Sequence, residues 1–337
     1  LNGGIPNIKF LNFICDFFRS NNYIEDVGAM LTVHPYRSEY WNDKRVELEK
    51  IKCPAYFVAS YSNPLHTRGT FESFSKIASQ DKWLRVHNTH EWDDFYKDEV
   101  QEDLMRFMDC YLKGIDNGWK STPKVRLSVL DPGGTDIVNR PEEDWPLPQM
   151  KPVRFYLRLS DGKLAEERDL SEQAALIDAP DQSVTFELVF SEYTEIIGPS
   201  KLLLWVEAIG CDDVEINASF YKADPAGNPL PTYHGYSGPE NILRVSRRDL
   251  DKERSTLLEP KLSFEKIERL APGEVVPAEI ALWATGLVFH PAERLVLKIR
   301  AGILDAVVPG SVPVPKMEEF PGSRAFHCGG KYDSQLV

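Results

Sequence analysis

The sequence lacks features that define several classes of protein. Its 337 residues contain five cysteines and no Cys-x-x-Cys pair, so neither a disulfide framework nor a zinc knuckle is indicated. No apolar run reaches about 18 residues, so no transmembrane helix is predicted. Positive charge is scarce: 39 Lys and Arg stand against 52 Asp and Glu, a net charge of −13, which argues against nucleic acid and anionic membrane surfaces as partners. With no signal-peptide pattern either, we expect buried free thiols and a cytoplasmic location.

Familiar catalytic and cofactor motifs are missing as well. The sequence contains no Gly-x-Ser-x-Gly nucleophile elbow, no Gly-x-Gly-x-x-Gly, no P-loop and no His-Glu-x-x-His. The nearest string, GYSGP, lacks a flanking strand and helix, so a polar loop tip explains Ser237. Asp212 and Asp213 could bind calcium, but two adjacent carboxylates fall short of an oxygen cage and indicate a soluble turn. We predict no cofactor and no metal.

The first part of the chain, to about residue 115, has the pattern of mixed helix and strand. PAYFVAS is a short continuous apolar run, typical of a strand covered on both faces, and KWLRVH is a second, weaker strand. Helices are predicted over IPNIKFLNFICDFF, from near Thr70, and from Val100 to Leu112 with a stop at Gly114. Alternating strands and helices predict a parallel α/β sheet.

From about Lys124 the pattern changes to many short β-rich segments separated by turn residues. Alternation is clean in KVRLSVL and SVTFELVF, which predicts a β-sandwich. The boundary lies in DPGGTDIVNRPEEDWPLPQMKP, whose Pro, Gly and acidic residues are typical of a linker. We therefore predict an α/β part over residues 1–120, a linker over 121–150 and an all-β sandwich over 151–337.

Two predicted strand-end loops concentrate polar side chains, at the place where α/β enzymes hold catalytic groups. A metal site in the second loop would need an irregular backbone, because histidines at i and i+3 face opposite sides of a strand, so a solvated acidic loop is preferred. A general base at His90 stays open, since α/β-hydrolases keep their histidine late in the chain. For His66 the alternative is N-capping or loop hydrogen bonding, and the isolated His34, His234, His290 and His327 are assigned structural roles. The candidates are Ser60, Ser62, Asn63 and His66 in the first loop and His87, His90, Glu91, Asp93 and Asp94 in the second.

Segments along nearly the whole chain resemble one family, the CocE/NonD (cocaine esterase and glutaryl acylase) hydrolases, whose relatives include X-prolyl dipeptidyl peptidases. The resemblance implies an α/β-hydrolase domain with cap helices, followed by a jelly-roll β-sandwich. It also implies cleavage of ester or amide bonds by a Ser-Asp-His triad. The strings that carry it are GGIPNIKFLNF, ASYSNPLHTRGTFESF, DKWLRVHNTHEW, EDLMRFMDCYLKGIDNGW, TPKVRLSVLDPGG, NRPEEDWPLP, LLLWVEAIGCDDVEINASFYKAD, LRVSRRDLDKERST, APGEVVPAEIALW and GGKYDSQLV.

The resemblance also assigns site residues. The family's nucleophile elbow and oxyanion donors lie upstream of the segment that matches GGIPN, so we expect little or no activity from the isolated chain. Asn63 takes the place of the orienting acid, where an amide cannot supply the negative charge that stabilises an imidazolium. His90 matches the family's histidine after a one-residue slip, whereas strict register selects Glu91.

Two functions remain open at this stage. The first is part of a serine hydrolase whose substrate is a small acyl ester, an amide or an X-Pro dipeptidyl peptide, in a protein that could form homo-oligomers. The second is a non-catalytic module whose jelly roll contacts carbohydrate or protein, since jelly rolls also serve as lectin domains.

Overall fold

A computed structural model describes residues 3–5, 16, 25–62, 66–179, 181–232, 238–301 and 322–337. Nearly all of the helix predicted over IPNIKFLNFICDFF lies outside these residues. None of the described helices is both long and apolar enough to cross a membrane. In this part of the chain the α-helices are α1 (Val27–Val33), α2 (Glu39–Asp43), α3 (Thr67–Lys76), α4 (Glu91–Phe95) and α5 (Asp98–Leu112).

The first sheet has four strands in the order β1-β2-β3-β4. Strands β1, β2 and β3 are parallel and β4 runs antiparallel to β3, so the predicted parallel α/β sheet is confirmed. Among the described residues β1 pairs only with β2, and its Val58 is 40% exposed, so the expectation of a strand covered on both faces is not met. The strands are β1 (Ala55–Ser60), β2 (Lys82–His87), β3 (Val125–Val129) and β4 (Ile137–Glu142).

Helices α3 and α5 pack on this sheet through the apolar stripes seen in the sequence. Phe71 and Phe74 of α3 are buried. Phe107 of α5 joins Trp83 and Trp119 in a small aromatic core. Helix α5 ends before Gly114, whose φ of +69° is the left-handed conformation that suits a glycine after a helix C-terminus.

The segment 121–150, predicted to be a linker, contains strands β3 and β4 and therefore completes the first sheet. Its Pro and acidic residues suggested a loop, but Pro141 lies within β4 opposite Arg126. Proline is tolerated on an edge strand because its missing N–H costs no ladder hydrogen bond there. Strand β4 occupies such an edge in the described sheet.

The second sheet has eleven strands and curls into the sandwich predicted from the short β segments. Its order is β11-β10-β13-β8-β6-β5-β15-β9-β14-β7, with β12 also paired to β9. The α/β plus all-β fold class is thereby confirmed. The strands are β5 (Phe155–Arg158), β6 (Lys163–Ala165), β7 (Gln173–Ile177), β8 (Ser183–Val189), β9 (Thr194–Ile209), β10 (Glu215–Ala223), β11 (Glu240–Arg244), β12 (Val275–Phe289), β13 (Arg294–Arg300), β14 (Ser323–Cys328) and β15 (Gln335–Leu336).

One hydrophobic core spans both sheets. The junction forms where Leu130, just after β3, makes backbone hydrogen bonds with Gly286 and Val288 of β12. Beside it the rings of Tyr61, Phe71 and Trp145 stack. The two parts are therefore joined by a shared core and main-chain hydrogen bonds.

The thiols are free, as predicted, but not uniformly buried. In the described part of the chain Cys53 is exposed, and Cys110 and Cys211 are intermediate. Cys328 is buried, and its burial raises the pKa of its thiol to about 12. Only the last of these behaves as the small buried hydrophobe that the sequence suggested.

Candidate functional site

The candidate site lies at the carboxyl ends of β1 and β2, where Ser60 and His87 are paired neighbours. Ser60 donates a hydrogen bond from Oγ to the Thr89 carbonyl over 2.5 Å, which joins the two strand-end loops. The same Oγ accepts from the Ser62 backbone N–H at 3.0 Å. Ser60 is buried and engaged in loop structure, so the geometry gives it no nucleophilic role.

His90 stands at the start of α4, in an extended conformation just before the first helical residue. Its Nδ1 accepts a long hydrogen bond of 3.4 Å from the Trp92 backbone N–H. Its Nε2 lies 3.6 Å from a Glu91 carboxylate oxygen, and its side chain is 31% exposed. An imidazole so placed, within reach of solvent at a sheet's carboxyl edge, can take up and return a proton during catalysis.

His87, three residues earlier, is placed differently. It is the last residue of β2 and is buried, and burial lowers the pKa of its imidazole to about 4. The Thr89 backbone N–H approaches its Nδ1 at 3.4 Å, which suits a neutral ring. His87 therefore stays uncharged near neutral pH and lies beneath the surface that a substrate would meet.

A buried ion pair holds the loop between these histidines in place. The Arg85 guanidinium donates two hydrogen bonds to the Asp94 carboxylate, and both side chains are 5% exposed. Asp94 belongs to α4, so the pair ties that helix to β2. The interpretation of this segment as a solvated acidic loop is therefore wrong for Asp94, because an arginine two strand positions before His87 neutralises it.

Two further sequence candidates give less. Asn63, assigned to the position of the catalytic acid, lies outside the described residues, as does Ser237. His66 is exposed and precedes α3 without a side-chain cap. Its carbonyl instead accepts hydrogen bonds from the backbone N–H and the hydroxyl of Thr70, each at 3.0 Å.

The structure assembles a charged cluster that the sequence did not indicate. Lys222 of β10 has a side chain only 1% exposed, and its ammonium lies 2.6 Å from Asp131 and 2.8 Å from Glu293. His290 places Nε2 2.9 Å from the other carboxylate oxygen of Asp131. Interpreting His290 as isolated is therefore wrong, and we call these four residues the junction cluster.

The junction cluster sits where β3 meets the sandwich. Burial by itself would raise the pKa of Asp131, but hydrogen bonds from His290 and Lys222 hold it below its usual value. Asp131, His290 and Glu293 are also the one group in the described residues whose ligand atoms are close enough to hold a metal ion. The Lys222 ammonium already supplies cationic charge to both carboxylates, so we assign the cluster a structural role. A buried lysine inside the strand EINASFYKA was its sequence signal.

Asp213, interpreted from sequence as part of a soluble turn, is 1% exposed. Its carboxylate accepts hydrogen bonds from Arg244 and from the backbone and hydroxyl of Ser246. It therefore anchors the segment after β11, whereas its neighbour Asp212 remains outside this network and pairs with Arg269.

Comparison with known proteins places this fold among hydrolases. The X-Pro dipeptidyl-peptidase C-terminal non-catalytic domain family matches residues 117–337. A crystal structure of a CocE/NonD family hydrolase from Staphylococcus aureus is 32% identical, with a TM-score of 0.93, over 100% of this chain and 63% of that one. A second structure under the same family name gives 32% identity and a TM-score of 0.92, over 100% of this chain and 64% of that one. The chain thus spans less than two thirds of these relatives.

More distant structures share the fold alone. An α-amino acid ester hydrolase is 14% identical with a TM-score of 0.65, over 91% of this chain and 59% of that one. A comparison with curated proteins gives no match. On the domain match and the structural similarity together, the chain belongs to the CocE/NonD hydrolase family, with its X-Pro dipeptidyl-peptidase C-terminal non-catalytic domain over residues 117–337.

Proposed function

We propose that this chain is part of an acyl ester or amide hydrolase in which His90 is the general base. The observation that carries the proposal is the contrast within one loop. His90 is one-third exposed at the carboxyl edge of the first sheet, whereas His87 is buried with its imidazole pKa lowered to about 4. Only the first can exchange protons with a bound substrate near neutral pH.

In this mechanism a serine hydroxyl attacks the substrate carbonyl and His90 accepts its proton. His90 then returns the proton to the departing alcohol or amine, which leaves an acyl-enzyme for water to hydrolyse. Asn63 stands at the position of the orienting acid, so the imidazolium lacks a neighbouring negative charge from that residue. A comparable change from Asp to Asn lowers kcat about 10⁴-fold in serine proteases.

The proposed substrates are acyl esters, amides and X-Pro peptides. Support comes from the similar proteins, which are described as CocE/NonD hydrolases and an α-amino acid ester hydrolase. The 337 residues contain no Gly-x-Ser-x-Gly. We therefore propose that the serine comes from outside them and that the chain alone turns over little or no ester.

The test measures hydrolysis of p-nitrophenyl acetate and of an X-Pro-arylamide by the full gene product that contains these residues, beside the 337-residue chain. His90→Ala should lower kcat about 10²- to 10⁴-fold, the range expected for a lost general base. Glu91→Gln, at the competing register position, should retain activity. Full activity in His90→Ala, or loss in Glu91→Gln alone, would reject the assignment of His90.

The domain match favours a second candidate for the sandwich half. Residues 117–337 match a family described as non-catalytic. We propose that this half contributes no reacting group and contacts carbohydrate or protein. A glycan array probed with the 337-residue chain should show specific signal if carbohydrate is the ligand, and a blank array would remove that option.

A further inference from the structure

A cleft of about 330 Å³ lies between the segment that follows α1, the start of α3 and the sandwich. Its walls include the loop at Lys261–Phe264 and parts of β11 and β12. Five of its lining residues are basic, which stands out in a chain with a net charge of −13. We call it the basic cleft, and its cationic residues are Arg37, Arg45, Arg68, Arg254 and Lys261.

Three of these cations are partly compensated. Arg37 and Arg254 share the Asp251 carboxylate, at 3.0 and 3.8 Å, so two guanidinium groups draw on one negative charge. The buried Nε of Arg254 has no hydrogen-bond partner. Lys261, 7% exposed, lies 3.5 Å from Glu72 and equally far from Glu259.

The other two cations have no such compensation. Within the described ranges neither Arg45 nor Arg68 has an ion pair within 4.0 Å, and both are exposed. The one carboxylate among the lining residues, Glu279, lies 2.9 Å from Lys201 and is thereby occupied. The basic cleft therefore carries an excess of positive charge toward its open space.

We propose that the basic cleft binds a small anion that carries a carboxylate or phosphate group, held between Arg45 and Arg68. Concentrated positive charge raises the local concentration of anions, and a planar guanidinium fork matches carboxylate and phosphate oxygens. Trp41 and Phe264 line the same space and would cover the apolar part of the ligand. The volume limits the ligand to a small molecule.

This inference goes beyond the proposed hydrolysis, because binding of an anion needs no nucleophile and neither His87 nor His90 lines the basic cleft. The two can therefore fail separately. An inactive His90→Ala variant should still bind the anion, and loss of anion binding need not change the hydrolysis of an uncharged ester.

The experiment titrates the 337-residue chain with succinate, with inorganic phosphate and with uncharged succinamide at constant ionic strength, followed by calorimetry. Succinate or phosphate should bind saturably and succinamide should not, and the tighter of the two anions identifies the group recognised. Arg45→Gln and Arg68→Gln should each weaken binding about tenfold or more, as loss of a charge-assisted contact predicts.

Arg168→Gln is the matched control, because Arg168 is exposed and lies outside the basic cleft. It should leave anion affinity within twofold of the parent. Circular dichroism and the urea midpoint establish that each variant is folded. Equal binding of succinamide, equal weakening by the control, unchanged affinity in the Arg45→Gln Arg68→Gln double variant, or no binding of either anion would each overturn the proposal.

Discussion

The junction between the two sheets and the carboxyl edge of the first sheet hold their charged side chains differently. At the junction the Lys222 ammonium is 1% exposed and lies within 2.8 Å of two carboxylates. At the edge His90 is 31% exposed and its polar contacts lie at 3.4 and 3.6 Å. Buried charge is tolerated only when it is paired, so the junction is fixed, whereas the exposed edge can afford a side chain that changes protonation.

The largest expected effect is at the junction, from Lys222→Met. Removal of the ammonium leaves Asp131 and Glu293 without their buried cation, which should lower the free energy of unfolding by about 3–5 kcal/mol. Urea denaturation measures this change. Lys201→Met is the matched control, because the Lys201–Glu279 pair is 14% and 30% exposed and should contribute below about 1 kcal/mol. Equal losses in both variants would show that burial does not set the difference.

The second effect tests the packing of the junction. A Cβ on Gly286 would lie 2.8 Å from the buried ring of Tyr61. Gly286→Ala should therefore lower the free energy of unfolding by up to about 3 kcal/mol through overpacking. Gly69→Ala, where an added Cβ meets nothing within 4 Å, should instead be neutral or stabilising. Thermal denaturation of both variants decides the matter, and a harmless Gly286→Ala would mean that the ring can move.

The third effect brings the buried layer of the carboxyl edge into the comparison. Burial holds the pKa of the His87 imidazole at about 4, below its ordinary 6.5, so the unfolded chain binds more protons between these pH values. Stability contributed by neutral His87 is complete above pH 6.5 and is lost as the pH falls toward 4. Between pH 7.5 and pH 5 the loss should be about 2 kcal/mol.

A His87→Gln variant separates this contribution from that of the carboxylates. Its urea midpoint should fall less than that of the parent between pH 7.5 and pH 5. Identical pH profiles for the two proteins would refute the claim that His87 is held neutral.

The smallest effect is expected from His90→Ala. The replaced contact is one long hydrogen bond at a helix start, so the free energy of unfolding should fall by about 0.5 kcal/mol. A small stability change combined with a large loss of activity would mark His90 as a residue of the reaction. A loss of several kcal/mol would place it with the structural groups of the junction.

Local periodicity carried much of the fold. The apolar spacing from Val100 to Leu112 and the glycine that follows predicted α5 closely, because an exposed helix must bury one stripe and end at a residue that accepts positive φ. Strand β4 was missed, since Pro141 and its acidic neighbours resemble a loop until an edge position is available. The junction cluster was missed because Lys222 and Asp131 are 91 residues apart.

The sequence by itself determined the succession of parallel strands and helices followed by β segments, and it selected His90 and the family. These follow from the period of apolar residues and from strings of neighbouring side chains, which are local properties. Only the tertiary structure decided which charges are buried and paired: Asp94 with Arg85, Asp131 with Lys222, and Arg45 and Arg68 with neither. Burial and pairing depend on what distant segments place beside a side chain, and single-sequence patterns contain no such distances.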